Sequence, residues 1–307
     1  MKLNKFKKAL TLLAITAILG LSGCGADTEA TPQEEETGGE TQAASSEKIV
    51  FSNLTDDASR NLLEELFESA GLEEGRRQVF WKEVDAYNEI AGEDNLHVGM
   101  ESGNIFEPKY DPYELQELWD GKNPEFPGYN CRITAFSLMD SEIQIADTKD
   151  PKDAALFLDL ESLKERPEAV DGNTDRFRAF YSDIPTELTK DVDIHVKKVE
   201  QFYMDRGITF SENERVSLIS IYFHNDIDDP SVLQIGHTGL LFQGNDDNMY
   251  FLEKVAFQEP YQLVKVKDRK DLNRYLMTKY DVSYNQPTAK PFIMENDHLM
   301  DGYGPLE

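Results

Sequence analysis

The hydrophobic pattern of the chain changes period near its middle, and this change restricts the fold more than any other feature. Residues 55–92 place apolar side chains at helical spacing in two runs, the first of which contains Leu62, Leu63 and Leu66. Later runs are rich in β-branched and aromatic residues and are typical of strands; they span residues 216–223, 232–242, 249–257 and 261–266. Helices followed by strands predict an α+β fold, with a helical N-terminal half packed on an antiparallel sheet.

Further helices are expected at residues 111–119, 150–165, 191–206 and 269–280, with a loop at residues 94–112. The turn-forming residues 244–248 (GNDDN) lie between the second and third strand-like runs and predict a hairpin. The tail from residue 281 is rich in proline and polar residues, and we expect it to be irregular.

The N-terminus has the features of a lipoprotein signal peptide. Four lysines precede a short apolar segment, residues 9–20, which ends at Leu21-Ser22-Gly23-Cys24. This apolar segment is shorter than the roughly 20 residues that a membrane-spanning helix needs. The pattern therefore predicts cleavage after residue 23 and a lipid on Cys24, which anchors the protein to the extracytoplasmic face of the cell membrane.

Residues 24–47 follow as an acidic segment with almost no large apolar side chain, which predicts a disordered tether. Residues 48–307 are then expected to form a single α+β domain. The net charge of −28 becomes about −32 once the four lysines of residues 1–23 are removed. Such an acidic chain repels phosphate groups, so nucleic-acid binding is not expected.

Cys131 is the first candidate for a chemical role. The chain has two cysteines, and lipidation of Cys24 leaves Cys131 as the lone thiol. Asn130 is a favourable N-cap, which places Cys131 at the first position of a helix, where the helix dipole and free N–H groups stabilise a thiolate. Arg132 adds a positive charge. The alternative is a small buried hydrophobic residue, because free cysteine is among the most buried residue types.

His237 lies in the apolar strand LQIGHTGLLF (residues 233–242), between two glycines that leave room for a close neighbour. The following strand carries Glu253 as a lone carboxylate, which is suited to orient the imidazole of a Cys–His pair. Gln258 is the alternative orienting residue. Two structural roles also fit: a histidine satisfied in the core or at an edge, and a surface ion pair of Glu253 with Lys254.

The order of a cysteine opening a helix, a Gly-His-Thr-Gly strand and a polar residue on the next strand resembles papain-like folds, especially their NlpC-type bacterial branch. This resemblance implies a papain-like core in which Cys131 attacks an acyl carbon, His237 is the general base and Glu253 orients it. The segments YFLEKVAFQEPYQ (residues 250–262) and QPTAKPFIMEND (residues 286–297) resemble Gram-positive lipoproteins of the domain-of-unknown-function family 4300, a resemblance that implies no established activity.

Two functions follow from these observations. The first is a cell-surface cysteine hydrolase, an amidase or peptidase that uses Cys131, His237 and Glu253 on a peptide or cell-wall peptide. The second is a non-catalytic binding or assembly lipoprotein on the same scaffold. No cofactor or metal is expected: zinc spacing is missing, and residues 226–230 lack the glycine and the closing glutamate of a calcium loop.

Overall fold

The computed structural model describes residues 48–104, 107–227, 229–282 and 285–306. The predicted signal peptide, the lipidated Cys24 and the tether lie outside the described residues. The described residues contain eight α-helices: α1 (Asp57–Ser69), α2 (Glu74–Ala91), α3 (Pro112–Lys122), α4 (Cys131–Met139), α5 (Phe157–Glu165), α6 (Thr174–Phe180), α7 (Val192–Arg206) and α8 (Arg269–Tyr280). None of the described helices is both long and apolar enough to cross a bilayer.

The strands are β1 (Ile49–Ser52), β2 (Glu101–Gly103), β3 (Ile143–Ile145), β4 (Ile184–Pro185), β5 (Ile208–Phe210), β6 (Val216–Asn225), β7 (Val232–Gln243), β8 (Met249–Lys254), β9 (Tyr261–Val266), β10 (Phe292–Glu295) and β11 (His298–Leu299). The main sheet has the order β11-β10-β6-β7-β8-β9-β1-β2, and β4 pairs with β7 at one end. Its described pairings are antiparallel. The predicted α+β class, with an antiparallel sheet, is confirmed.

The sheet separates two hydrophobic cores. Helices α1–α7 cover one face and bury the larger core, whereas α8 covers the opposite face. Strand β8 illustrates the division, since Tyr250 and Leu252 face the larger core and Phe251 faces α8. Both faces are therefore apolar, which explains why the strands appear in the sequence as almost continuous apolar runs.

Two predicted helix starts are displaced. The run predicted from residue 55 becomes helical only after Asp56, the N-cap of α1, whose carboxylate accepts a hydrogen bond from the Ser59 N–H at 3.0 Å. Helix α5 begins at Phe157, not at residue 150, after a 3₁₀ turn at Ala154–Leu156. Asp150 has a positive φ of 47° and precedes Pro151. The ring of a following proline disfavours helical geometry at the residue before it, which accounts for the non-helical backbone at Asp150.

The C-terminal tail is not irregular throughout, contrary to the prediction. Strand β10 pairs with β6 inside the sheet, and β11 pairs with β10. Phe292 and Met294 of β10 contribute to the larger core, and Ile293 contributes to the core under α8. A four-residue strand that follows Pro291 has too short a pattern to identify from sequence, and its partner lies more than 60 residues earlier.

Candidate active site

Helix α4 begins at Cys131, the position that the capping pattern predicts. The Asn130 side chain accepts a hydrogen bond from the Ile133 N–H at 3.0 Å, and the Asn130 carbonyl accepts one from Thr134. Among the described residues, no acceptor lies against the N–H groups of Cys131 and Arg132. The thiol therefore lies beside unpaired donors at the positive end of a helix dipole.

A buried ion pair fixes this helix start. Arg132 donates to both carboxylate oxygens of Asp159, from Nε at 2.9 Å and from Nη2 at 2.7 Å. The Asn130 amide donates to the same carboxylate at 2.8 Å, and Asp159 is fully buried. Arg132 also donates to the Ile235 carbonyl of β7. The residues on either side of Cys131 are thus tied to one carboxylate, and the helix is tied to the strand that carries His237.

A β-bulge decides which way His237 points. The register between β6 and β7 shifts between the pairs Ile221–His237 and Tyr222–Ile235, so Gly236 is the extra residue. Ile235 faces the larger core, and regular alternation would put His237 on that same face. The bulge instead turns His237 to the α8 face, where its ring stacks on Tyr280 with centroids 5.0 Å apart.

The two glycines near His237 are required by close packing. A Cβ on Gly236 would lie 1.9 Å from the Phe223 ring, and one on Gly239 would lie 2.5 Å from the Leu252 carbonyl oxygen. The second contact matters for the site because Gly239 follows His237 on the same face of β7. The bare backbone at Gly239 lets β8 approach and brings Glu253 within reach of the imidazole.

The structure brings Cys131, His237 and Glu253 together. The pairing of β7 with β8 ends at Leu240–Leu252, and Glu253 continues in register with β9 alone. At this point His237 Nε2 lies 2.5 Å from Glu253 Oε2. The Cys131 thiol arrives from helix α4 and lies close enough to the His237 imidazole for each group to shift the pKa of the other.

Burial is the largest single influence on the pKa values of these three groups, and in each it opposes the charged form. Burial lowers the pKa of His237, yet the neighbouring Cys131 and Glu253 raise it to about 9. Burial raises the pKa of Cys131, but His237 and then Arg132 bring it below its ordinary value. Burial also raises the pKa of Glu253, and Lys279 and His237 outweigh it. The neighbouring groups therefore favour a thiolate at Cys131, an imidazolium at His237 and a carboxylate at Glu253 over the neutral forms.

Sequence reasoning missed the residues that surround Glu253. Tyr275 donates to Glu253 Oε1, and the Gln262 amide donates to the same oxygen at 2.8 Å. Tyr275 and Tyr280 both lie on α8, a helix that the sequence predicts. The spacing of apolar residues in that helix does not distinguish a tyrosine that hydrogen-bonds a buried carboxylate from one that only packs against apolar side chains.

The alternative roles considered for this region fare differently. Gln258 lies in the bend after β8, where its backbone carbonyl accepts from Tyr87, and Glu253 is the residue that contacts the imidazole. Lys254 does not pair with Glu253 at the surface. It is buried on the opposite face, donates to the carbonyls of Phe257 and Glu259, and lies 3.8 Å from the centre of the Tyr87 ring.

The three residues are almost covered by the surrounding protein. Cys131 is 6% exposed, His237 2% and Glu253 1%. Water is therefore largely excluded, which strengthens the electrostatic interactions among the three groups. The same burial restricts access to the thiol.

Comparison with known proteins gives one result. A family model described as a domain of unknown function, DUF4300, matches residues 50–300. No curated protein and no solved structure matches the chain. The family match includes Cys131, His237 and Glu253 and spans well over half of the sequence. The chain belongs to the DUF4300 family.

Proposed function

We propose that this protein is a cysteine hydrolase of the amidase or peptidase type, with Cys131 as nucleophile, His237 as acid and base, and Glu253 as the residue that orients His237. The observation that carries the proposal is a lone thiol at a helix N-terminus beside a histidine whose Nε2 bonds a buried carboxylate. Nucleophilic catalysis by cysteine needs these three roles. The same arrangement supports a papain-like core.

In the first half of the reaction the Cys131 thiolate attacks the carbonyl carbon of an amide and forms a C–S bond. The carbonyl π electrons move onto oxygen, and the tetrahedral intermediate collapses as the C–N bond breaks. The His237 imidazolium gives its proton to the leaving nitrogen, which departs as an amine. An acyl thioester on Cys131 and a neutral imidazole remain.

In the second half, neutral His237 accepts a proton from water while the water oxygen attacks the thioester carbon. The C–S bond breaks, the acid product leaves, and the thiolate and imidazolium are restored. Glu253 stays ionised throughout and holds the imidazole by its Nε2–H. The N–H groups of Cys131 and Arg132 are suited to stabilise the oxyanion, because they are unpaired donors fixed by the helix.

We also propose that the enzyme acts outside the cell while anchored through a lipid on Cys24. The support is the sequence of residues 1–24. A Cys24→Ala variant should move from the membrane fraction to the soluble fraction and lose incorporation of labelled palmitate. Cys131→Ala should keep both properties, and an unlabelled membrane-bound Cys24→Ala protein would contradict the anchor. A peptide of the cell wall is the substrate class that suits this location.

The thiolate can be tested without knowing the substrate. The ultraviolet absorbance of the full chain minus that of its Cys131→Ser variant isolates the Cys131 thiolate, because Cys24 contributes to both. We expect the difference to be present at about pH 6, where an ordinary thiol is protonated. A difference that appears only near the ordinary cysteine pKa would overturn the proposal.

Turnover is tested next with peptide amides and cell-wall peptides. We expect the wild-type chain to release an amine and to accumulate an acyl adduct on the peptide that contains Cys131. Cys131→Ser should do neither. His237→Ala should lose release by a factor of about 10² or more, the range for general acid–base catalysis.

One observation favours the second candidate, a non-catalytic binding or assembly protein. Cys131 and His237 expose only 6% and 2% of their surface, which leaves little room for a substrate carbonyl. In that case Cys131, His237 and Glu253 would form a buried cluster with a structural role. The second candidate would be supported if the wild-type chain shows the thiolate signal but forms no acyl adduct with any peptide amide. The Cys131→Ser variant should then lose no function.

A further inference from the structure

Glu253 has two carboxylate oxygens with different surroundings. Oε2 bonds His237 Nε2, whereas Oε1 accepts from Tyr275 and from the Gln262 amide. Tyr275 and Gln262 come from elements on either side of the carboxylate, α8 and β9. All four side chains are buried, at 1–5% exposure. Glu253 Oε1 is thus held by two protein side chains rather than by solvent.

The hydrogen-bond directions in this group are fixed by its chemistry. The Gln262 amide nitrogen is only a donor, and it lies 3.1 Å from the Tyr275 hydroxyl and 2.8 Å from Glu253 Oε1. The hydroxyl therefore accepts from Gln262 and gives its own proton to Glu253. Burial and the charge of Glu253 keep the pKa of Tyr275 well above its ordinary value, so this proton stays on the oxygen.

We propose that Tyr275 is a positioning residue for the Cys131–His237 pair, acting through Glu253; this inference rests on the function proposed above. Two donors at Oε1 leave no acceptor there for a carboxylic acid proton, so they hold Glu253 as a carboxylate. They also fix the rotation of the carboxylate, which directs Oε2 at His237. The imidazole is then held in place beside the Cys131 thiol.

Loss of the tyrosine hydroxyl should weaken this chain of contacts without touching the thiol. In Tyr275→Phe the carboxylate loses one of two donors at Oε1, and its negative charge is less well stabilised in a buried position. A less firmly held Glu253 carboxylate stabilises the imidazolium of His237 less. The imidazolium then stabilises the thiolate of Cys131 less. We therefore expect the apparent pKa of Cys131 to rise.

The experiment measures the pH profile of the Cys131 thiolate in the full chain, as the absorbance of each protein minus that of its Cys131→Ser counterpart. Tyr275→Phe should shift the profile upward by about half to one pH unit, equal to a three- to tenfold loss of thiolate on the acid side. Gln262→Leu provides a second variant that removes the other donor. The matched control is Tyr250→Phe, which removes a tyrosine–carboxylate bond of 2.8 Å to Asp246 in the hairpin.

A shift in Tyr275→Phe and Gln262→Leu, with Tyr250→Phe unchanged, supports the inference. A wild-type profile in both site variants refutes it and leaves the proposed function standing. Equal shifts in all three variants also refute it, because they indicate a general loss of stability. If Cys131 in the wild-type chain shows the pH profile of an ordinary cysteine, the proposed function itself is refuted.

Discussion

His237 Nε2 lies 2.5 Å from Glu253 Oε2, and both groups are buried between the sheet and helix α8. The contact joins two adjacent strands just beyond the end of their backbone ladder, so a side-chain bond replaces the backbone bonds that stop at Leu240. The two residues are 16 positions apart in sequence. This single contact connects the stability of the fold to the state of the candidate nucleophile, and several measurements can probe it.

Glu253→Gln should change the acid side of the stability profile. The folded-state pKa of Glu253 lies below its ordinary value. A carboxylate with a lowered pKa contributes stability that is present above the ordinary pKa, near 4.5, and is lost as the pH falls through the lowered one. We expect wild type to exceed Glu253→Gln in free energy of unfolding at pH 7, and the difference to shrink below about pH 4.5. Urea unfolding across this range measures it, and a difference that grows toward acid would contradict the prediction.

His237→Gln should remove the main support of the Cys131 thiolate. Burial then dominates the environment of the thiol and raises its pKa. We expect at least a tenfold smaller thiolate fraction at about pH 6, since each unit of pKa changes that fraction tenfold. The His298→Gln variant is the control, because the His298 side chain is 55% exposed and its described ion pair is with the adjacent Asp297. The idea fails if both variants keep the wild-type profile.

Gly236→Ala should distort the bulge that aims His237. The new Cβ would lie 1.9 Å from the Phe223 ring, and we expect a loss of about 1–3 kcal/mol in unfolding free energy, the usual cost of overpacking. The thiolate signal of Cys131 should fall with it, because His237 moves.

Gly121→Ala is the matched control for this change. Gly121 lies in helix α3 with open space around its Cβ position, so alanine should stabilise the helix slightly. Adding Phe223→Ala to Gly236→Ala should restore part of the thiolate signal by removing the clash. No recovery would mean that the bulge is disturbed by something other than the Phe223 ring.

Arg132→Met should destabilise the protein strongly. It leaves the carboxylate of Asp159, which has no exposed surface, with the Asn130 amide as its remaining described partner. Loss of one member of a buried ion pair typically costs about 3–5 kcal/mol in unfolding free energy. Lys198→Met breaks an exposed pair with Glu187 and should change stability far less. Similar losses in both variants would mean that the Arg132–Asp159 pair is unimportant to the helix start.

The elements that the sequence predicts well have strong local patterns. Helix α2 ends at the predicted Gly92, and α7 begins after the predicted Asp191. The start of α4 at Cys131 could be predicted from the capping ability of Asn130. These features depend on residues within one or two turns of each other, so the local sequence is sufficient to predict them.

The remaining features depend on contacts between distant segments. A glycine in a strand indicates a bulge or a close neighbour, but the sequence does not say that Gly236 is the residue that is skipped. Strand β8 ends at Lys254 rather than residue 257, and the Lys254 side chain donates to the carbonyls of Phe257 and Glu259 in the bend that follows. The role of Tyr275 likewise exists only after α8 has packed on the sheet.

The extra residue Gly236 reverses the alternation of side chains between the two faces of β7. Residues on one side of Gly236 present odd positions to the larger core, as at Leu233 and Ile235, and those on the other side present even positions, as at Leu240 and Phe242. Deleting Gly236 would remove the bulge and leave a regular strand whose two halves keep their present faces, whereas deleting Gln234 would turn Leu233 to the opposite face. This segment can therefore lose the bulge residue without exchanging its faces, so its length is constrained on either side of Gly236 rather than at it.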